Sequence, residues 1–246
     1  MPPTDLVHLP AVIELRQYTL RPGRRDELIE LFDREFVEPQ EEAGMIVLGQ
    51  FRDLDDPDRF VWLRGFRDMA TRHRGLTDFY DGPVWARYGP AANDTMADSD
   101  DVLLLRPEPA GSGLAVSPGR RPPGRVPAPS RFVAATVWSF PPGRHDGIAL
   151  IRDGLLPVLR ETGPAPLALL TSEHAHNTFA RLPVRSGENV AVLITSYPDE
   201  SAHRRHVTGL RAHPRTRAEI LPALEREQTA APRKLRLAPT GRSLMS

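Results

Sequence analysis

Glu14, Arg16 and Tyr18 stand at every second position of one stretch, so an extended chain sends all three side chains to one face. A carboxylate, a guanidinium and a phenol side by side are equipped for proton transfer next to a carbonyl. The guanidinium would hold an enolate or carboxylate oxygen through a charge-assisted fork, and the phenol would donate or remove a proton. Tyr18 is then the acid/base candidate, Arg16 the electrostatic one and Glu14 the third catalytic candidate. The plainer reading is that Glu14 and Arg16 neutralise each other as a buried pair. Trp62 and Arg64 alternate in the same way along 60–66 and join this polar-aromatic face. Tyr80 and Trp85 follow, as pocket walls or as ordinary core, and Asn93 would orient a carbonyl group. An irregular stretch over 177–185 carries Asn177, Arg181 and Arg185. At a cavity mouth it would place donors over a ligand; otherwise its arginines cap carbonyls or pair with linker residues. The substrate-binding candidates are therefore Trp62, Arg64, Tyr80, Trp85, Asn93, Asn177 and Arg185.

The histidines offer a different chemistry. His174 and His176 share one face of a strand-like run after Glu173, and His203 and His206 are spaced i,i+3 on a helical pattern. These spacings match no strong metal pattern, so exposed histidines near turns are the expectation and no metal ligands are assigned. Heme or metal binding through them is the third functional reading. His73, between Arg72 and Arg74, reads as part of an exposed basic helix face, or as a general base if it points inward. The sequence has no G-x-G-x-x-G turn, no G-x-x-x-x-G-K-[ST] loop and no G-x-S-x-G elbow. That disfavours NAD, ATP and the usual hydrolase mechanisms, and no organic cofactor is expected.

Composition narrows the classes further. The chain has 246 residues, net charge +0 and no cysteine, which excludes a disulfide framework, thiolate ligands and cysteine nucleophiles. Balanced charge leaves no footprint for nucleic acid or an anionic membrane. No apolar run approaches the roughly 20 residues that span a bilayer, and the first ten residues lack the basic start and apolar stretch of a signal peptide. A soluble, cytoplasmic protein is the expectation. Lys234 is the only lysine, so Schiff-base chemistry is excluded almost everywhere.

The elements that must position these residues are legible from period and turn chemistry. Val12 to Leu20 alternates as a strand, with Ile13 and Leu15 on one face and the ionisable set on the other. Leu28, Leu31, Phe32 and Phe36 recur at helical spacing, as a stripe expected to pack on the Ile13/Leu15 face. Strands follow over 45–52 and 59–66 around the Asp55–Asp58 turn, then a helix over 68–80, a short one from Pro83 through Trp85, and a strand over 101–105. The order is βαββαβ, a ferredoxin-like unit with helices on one sheet face. Between 107 and 130, 14 of 24 residues are Pro, Gly or Ser, an extended linker. Beyond it the pattern returns, with strands near 132–140, 166–174, 189–197 and 234–238. Tyr18 to Asp26 parallels Trp138 to Asp146, each a strand, a Pro-Gly turn and an acidic helix start, and Phe60 to Asp68 parallels Val190 to Asp199. Duplication is the economical explanation, giving domains 1–106 and 131–246. Glu14, Arg16 and Tyr18 then align with Ala134, Thr136 and Trp138, so the second copy lacks the ionisable pair. Packing the two sheets face to face would enclose the polar-aromatic surface of the first as a barrel-like cavity, a default small-molecule site.

These stretches resemble the NIPSNAP family, within the dimeric α+β barrel superfamily. The resemblance runs through Glu14–Gly23, Phe60–Met69, Phe79–Trp85, Ala92–Ser99, Val102–Pro107, Asn177–Asn189 and Leu235–Thr240. It implies an α+β fold of two tandem ferredoxin-like units whose sheets form a pseudo-symmetric barrel, often with further oligomerisation, and it implies little chemistry. The wider superfamily includes cofactor-free monooxygenases, isomerases, cyclases and heme enzymes, a breadth that forbids reading function from fold. The expected function is that of an enzyme without organic cofactor. It would act on a small carbonyl-containing or polyketide-like molecule by proton transfer with enolate stabilisation, as in isomerisation, cyclisation or oxygenation. The rival is a non-catalytic small-molecule-binding or protein-interaction scaffold. An exposed sheet edge in each unit predicts a homo-oligomer.

Overall fold

The computed structural model of the protein describes residues 10–112, 114 and 128–245, so most of the expected linker lies outside the described residues. Eight strands and eight α-helices follow along the described residues: β1 (Val12–Leu20), α1 (Arg25–Glu35), α2 (Val37–Glu42), β2 (Ile46–Asp53), β3 (Arg59–Phe66), α3 (Met69–Tyr80), α4 (Pro83–Thr95) and β4 (Met96–Pro107), then β5 (Phe132–Phe140), α5 (Asp146–Ala149), α6 (Leu156–Thr162), β6 (Ala168–Ser172), β7 (Asn189–Tyr197), α7 (Glu200–Ala212), α8 (Leu221–Glu227) and β8 (Arg233–Pro239). A π-turn over Leu150–Leu155 joins α5 to α6, and another over Thr216–Ile220 leads into α8. Each first strand ends in a tight Pro-Gly turn whose glycine, Gly23 or Gly143, takes a left-handed backbone (φ 76° and 75°) that only glycine adopts without strain.

All strands lie in one closed barrel, ordered β1-β3-β2-β8-β5-β7-β6-β4 and back to β1. The first four strands follow β4-β1-β3-β2 around the ring and the last four β8-β5-β7-β6, with β2–β8 and β4–β6 as the seams. Every pairing is antiparallel. The fold is thus a mixed α+β barrel. Ring closure leaves none of these eight strands with a free edge, so the exposed edges on which the expectation of a homo-oligomer rested do not exist.

The sheet faces are opposite to the expectation. Ile13 and Leu15 point into the barrel, where they meet Leu63, Leu103 and Leu105 of the first half and Val133, Leu170, Val192 and Leu237 of the second. The stripe of Leu28, Leu31, Phe32 and Phe36 packs instead on Tyr18, Leu20, Phe60 and Trp62. Alternation separates two faces but does not say which one a helix covers. An eight-stranded barrel has an interior just wide enough for side chains to fill, and aliphatic residues from both halves fill it. The polar-aromatic face therefore turns outward, where the helices bring polar partners of their own. The α4 helix also exceeds its expected length: Pro83 starts it, Pro90 sits inside it, and it continues to Thr95.

Candidate functional site

The β1–β3 register sets the first cluster. Glu14 lies opposite Arg64, and Arg16 opposite Trp62, all on the face that α1, α3 and α4 cover. The Glu14 carboxylate accepts three guanidinium bonds: at Oε2 from Arg16 Nη1 (2.7 Å) and Arg64 Nε (2.8 Å), and at Oε1 from Arg72 Nε (2.7 Å). Arg16 Nε donates to the Tyr18 hydroxyl at 2.9 Å. Arg64 Nη1 donates to Gln40 Oε1 and, more weakly, to the Tyr80 hydroxyl, while Arg72 Nη1 reaches Asn177 Oδ1 at 3.0 Å. Glu14, Arg16, Arg64 and Arg72 are wholly buried. Burial alone would raise the Glu14 carboxyl, but Arg64, Arg16 and Arg72 outweigh it and hold the group far below the usual carboxylate range. Burial pushes the Tyr18 phenol up, keeping it protonated. The guanidinium of Arg64 lies 5.2 Å from the Trp62 ring centre and 5.8 Å from that of Tyr80, within cation–π range, and Trp85 packs edge-on against Tyr80 at 4.6 Å.

The structure thus brings Glu14, Arg16, Tyr18, Trp62, Arg64, Tyr80, Trp85 and Asn177 into one group, against the strand–helix interface and not in the barrel interior. Asn93 does not join it; its side chain is exposed on α4. Arg185 lies apart, paired with Asp101 and Glu188, and Arg181 pairs with Asp81. Arg72, the third arginine on Glu14, was not visible in the sequence as a site residue. The only trace was the run Arg72-His73-Arg74, of which Arg72 is buried while His73 and Arg74 are exposed; His73 Nδ1 meets the Thr178 carbonyl at 2.8 Å. Among the described residues no three His, Asp or Glu side chains gather as a metal-ion site.

The second half repeats the register with different chemistry. The pair Phe132–Tyr197 corresponds to Val12–Phe66, so Ala134 faces Thr195 where Glu14 faces Arg64, and Thr136 faces Leu193 where Arg16 faces Trp62. Asp68 caps α3 and Asp199 caps α7, each two residues past its strand. Four residues beyond each cap stand Arg72 and His203. Glu14, Arg16, Arg64 and Arg72 are thus exchanged for Ala134, Thr136, Thr195 and His203. A cavity of about 640 Å³ opens there, within the usual size of ligand sites.

Its walls are largely apolar, from Trp138, Leu155, Leu159, Leu193, Leu210 and Leu224, with Thr136, Thr195, Tyr197, His203, His206, Arg211, Thr216, Glu225, Gln228 and Lys234 as polar lining. The Thr216 hydroxyl and Gln228 Oε1 are buried without a hydrogen-bond partner. Leu155 and Thr216 belong to the two π-turns, a distortion that recurs at functional sites. The His206 tautomer follows from its neighbours. Thr162 donates its hydroxyl proton to the Val158 carbonyl, so it must accept from His206 Nε2 (3.0 Å); His206 Nδ1 then accepts from the Tyr197 hydroxyl at 2.9 Å. Burial pushes the Tyr197 phenol up to about 12, against the hydrogen bond with Thr195. Burial lowers His206, and it lowers His203 despite Glu200 nearby. His203 stacks on Phe132 at 4.8 Å and meets Tyr197 edge-on.

An α+β barrel with a site between its strands and helices defines the structural class, and comparison with solved structures agrees over nearly the whole chain. A candidate monooxygenase from Fusobacterium nucleatum subsp. nucleatum ATCC 25586 is 8% identical, covers 94% of this chain and 93% of its own, and superposes with TM-score 0.59. One from Lactobacillus acidophilus NCFM is 12% identical, with coverages of 96% and 97% and TM-score 0.57. An anthrone oxidase-like protein is 13% identical, with 94% and 92% coverage and TM-score 0.57. At such identities the likeness is one of fold. Residues 13–109 match the NIPSNAP family model. No curated protein matches the sequence.

Proposed function

We propose that the chain is a fused pair of ferredoxin-like units, 1–106 and 131–246 around the 107–130 linker, whose second unit takes a small and largely apolar organic molecule. The observation that carries this reading is the exchange of a buried ionic cluster for an open cavity at corresponding positions. The unpartnered Thr216 hydroxyl can donate to a ligand carbonyl oxygen and the unpartnered Gln228 Oε1 can accept from a ligand hydroxyl, the usual pattern of apolar walls with few directing groups. The chemistry that fits is proton abstraction beside a carbonyl. His203, kept neutral by burial, accepts the C–H proton on an imidazole nitrogen; the bonding pair moves onto the carbonyl oxygen, toward which the Thr216 hydroxyl donates. The enolate is then reprotonated at another carbon, an isomerisation, or gives its electrons to dioxygen. The likeness to candidate monooxygenases supports the second course by fold alone.

Anthrone, a flat ketone with an acidic methylene, is a suitable probe. Quenching of Trp138 fluorescence should report its binding, and an oxygen electrode should report one dioxygen consumed per anthrone converted to anthraquinone and water. Leu193→Trp, which restores the bulk that Trp62 has in the first half, should abolish binding with the fold intact. His203→Gln should bind with less than a tenfold change and turn over at least a hundredfold more slowly. Binding without turnover in the unaltered protein would leave a small-molecule-binding role. No binding of anthrone, or binding that survives Leu193→Trp, would remove this cavity as the site.

A further inference from the structure

The first half holds an imbalance that its own residues do not resolve. Three guanidinium groups, Arg16, Arg64 and Arg72, meet a single carboxylate, Glu14, in a place with no solvent exposure. The acceptors that touch the group are all engaged. Glu14 uses both oxygens, Gln40 Oε1 takes Arg64, Asn177 Oδ1 takes Arg72, and the Tyr18 hydroxyl takes Arg16. What remains on the arginines is donor-only: Arg64 Nη2 and Arg72 Nη2 are buried and without a partner. Both guanidiniums grip the Glu14 carboxylate through Nε, Arg64 at Oε2 and Arg72 at Oε1. Buried charge without a counter-charge is strongly unfavourable, and the deficit calls for negative charge carried by acceptor oxygens.

The segment above this site comes from the other half of the chain. The β6–β7 connection over 173–188 sends Phe179 into the first-half core, and Asn177 ties it to Arg72. Asn177 also lines a separate cavity of about 610 Å³ with Leu104, Ser172, His176 and Arg185, so the arginine cluster is one side chain away from open space.

We propose that Arg64 and Arg72 hold a small planar oxyanion of the carboxylate class, such as formate, acetate or bicarbonate, beneath the 173–188 connection. Guanidinium N–H groups match planar oxyanions in both charge and geometry. Burial lowers Arg72, against the pull of Glu14. This site is independent of the second-half cavity and stands whether or not that cavity binds an organic ligand.

Thermal unfolding of exhaustively dialysed protein, with sodium acetate compared against sodium chloride at one ionic strength, tests the proposal. Acetate should raise Tm along a saturating curve that chloride does not reproduce, as a ligand of the native state must. Arg72→Gln should lose the acetate response, and Arg72→Lys, which keeps the charge without the fork, should shift its midpoint at least tenfold upward. Should Arg72→Gln fail to fold, the lysine variant decides. Superimposable curves in the two salts, or an unchanged acetate midpoint in Arg72→Lys, would overturn the assignment.

Discussion

Glu14 is the single acceptor on which three buried arginines converge, so neutralising it leaves all three uncompensated. Glu14→Gln should destabilise the protein by about 3–5 kcal/mol, read as a fall in Tm or in the urea midpoint. The pH dependence has a definite sign. The folded carboxyl is depressed, so its stabilising contribution is complete above the ordinary glutamate value, about 4.3, and is lost as pH falls below it toward the folded value. Glu14→Gln should therefore flatten the acid limb of the stability profile below about pH 4; an unchanged acid limb would place the sensitivity elsewhere. At this scale the sequence was informative where period-2 alternation governs. Glu14, Arg16, Tyr18, Trp62 and Arg64 share a face because strands alternate, whatever covers them. Arg72 escaped because a helix interior offers no comparable rule for one arginine among several. His203 was noticed only through its i,i+3 spacing with His206, as a conceivable metal or heme ligand, because its place beside Ala134, Thr136 and Thr195 is set by tertiary packing. The absence of the ionisable pair from the second half was visible, and a cavity lies beside those positions.

Matching helices carry matching starts. The side chains of Asp68 and Asp199 accept from Thr71 N and Ala202 N at the first turns of α3 and α7, and the Asp68 hydrogen bonds hold its carboxyl at about 2. Either Asp→Ala change should lower stability by about 1 kcal/mol, with hydrogen exchange rising first at the N-terminal turn of the helix concerned. The 173–188 connection behaves differently, since it belongs to one half and packs in the other. Phe179→Ala should cost about 3–5 kcal/mol and should speed exchange in α3, while α7 stays protected. Acceleration confined to 173–188 itself would mean that Phe179 is not holding the first-half core. Strand positions and the Pro-Gly turns could be read because their signals are local. The full extent of α4 could not: Pro90 sits inside it, and interior proline ordinarily marks a helix end.

The whole molecule is a ring, and its interior belongs to neither half. Ile13, Leu15 and Leu63 meet Val133, Val192 and Leu237 in one shared core, so a fragment ending near residue 112 would expose that apolar sheet face to water. Expressed alone, it should self-associate through this face, which light scattering coupled to size exclusion would show as a dimer or larger species. A stable, soluble monomer would mean that the seams contribute little. No helix among the described residues is long and apolar enough to cross a membrane. The order of strands and helices was legible in the sequence. The orientation of the faces was not, because the same alternation describes a sheet turned either way, and only closure with the other half decides it.

Covalent joining of the two halves has a consequence for stoichiometry. In a barrel assembled from two identical chains, every substitution at a strand–helix site occurs twice, so removing an ionic cluster to make room for a ligand would hollow both sides together. In this chain the Ala134, Thr136, Thr195 and His203 set is present once, and the arginine-laden counterpart stays intact. Saturation of this cavity should then come at one anthrone per polypeptide, without cooperativity between like sites, whatever number of chains associates.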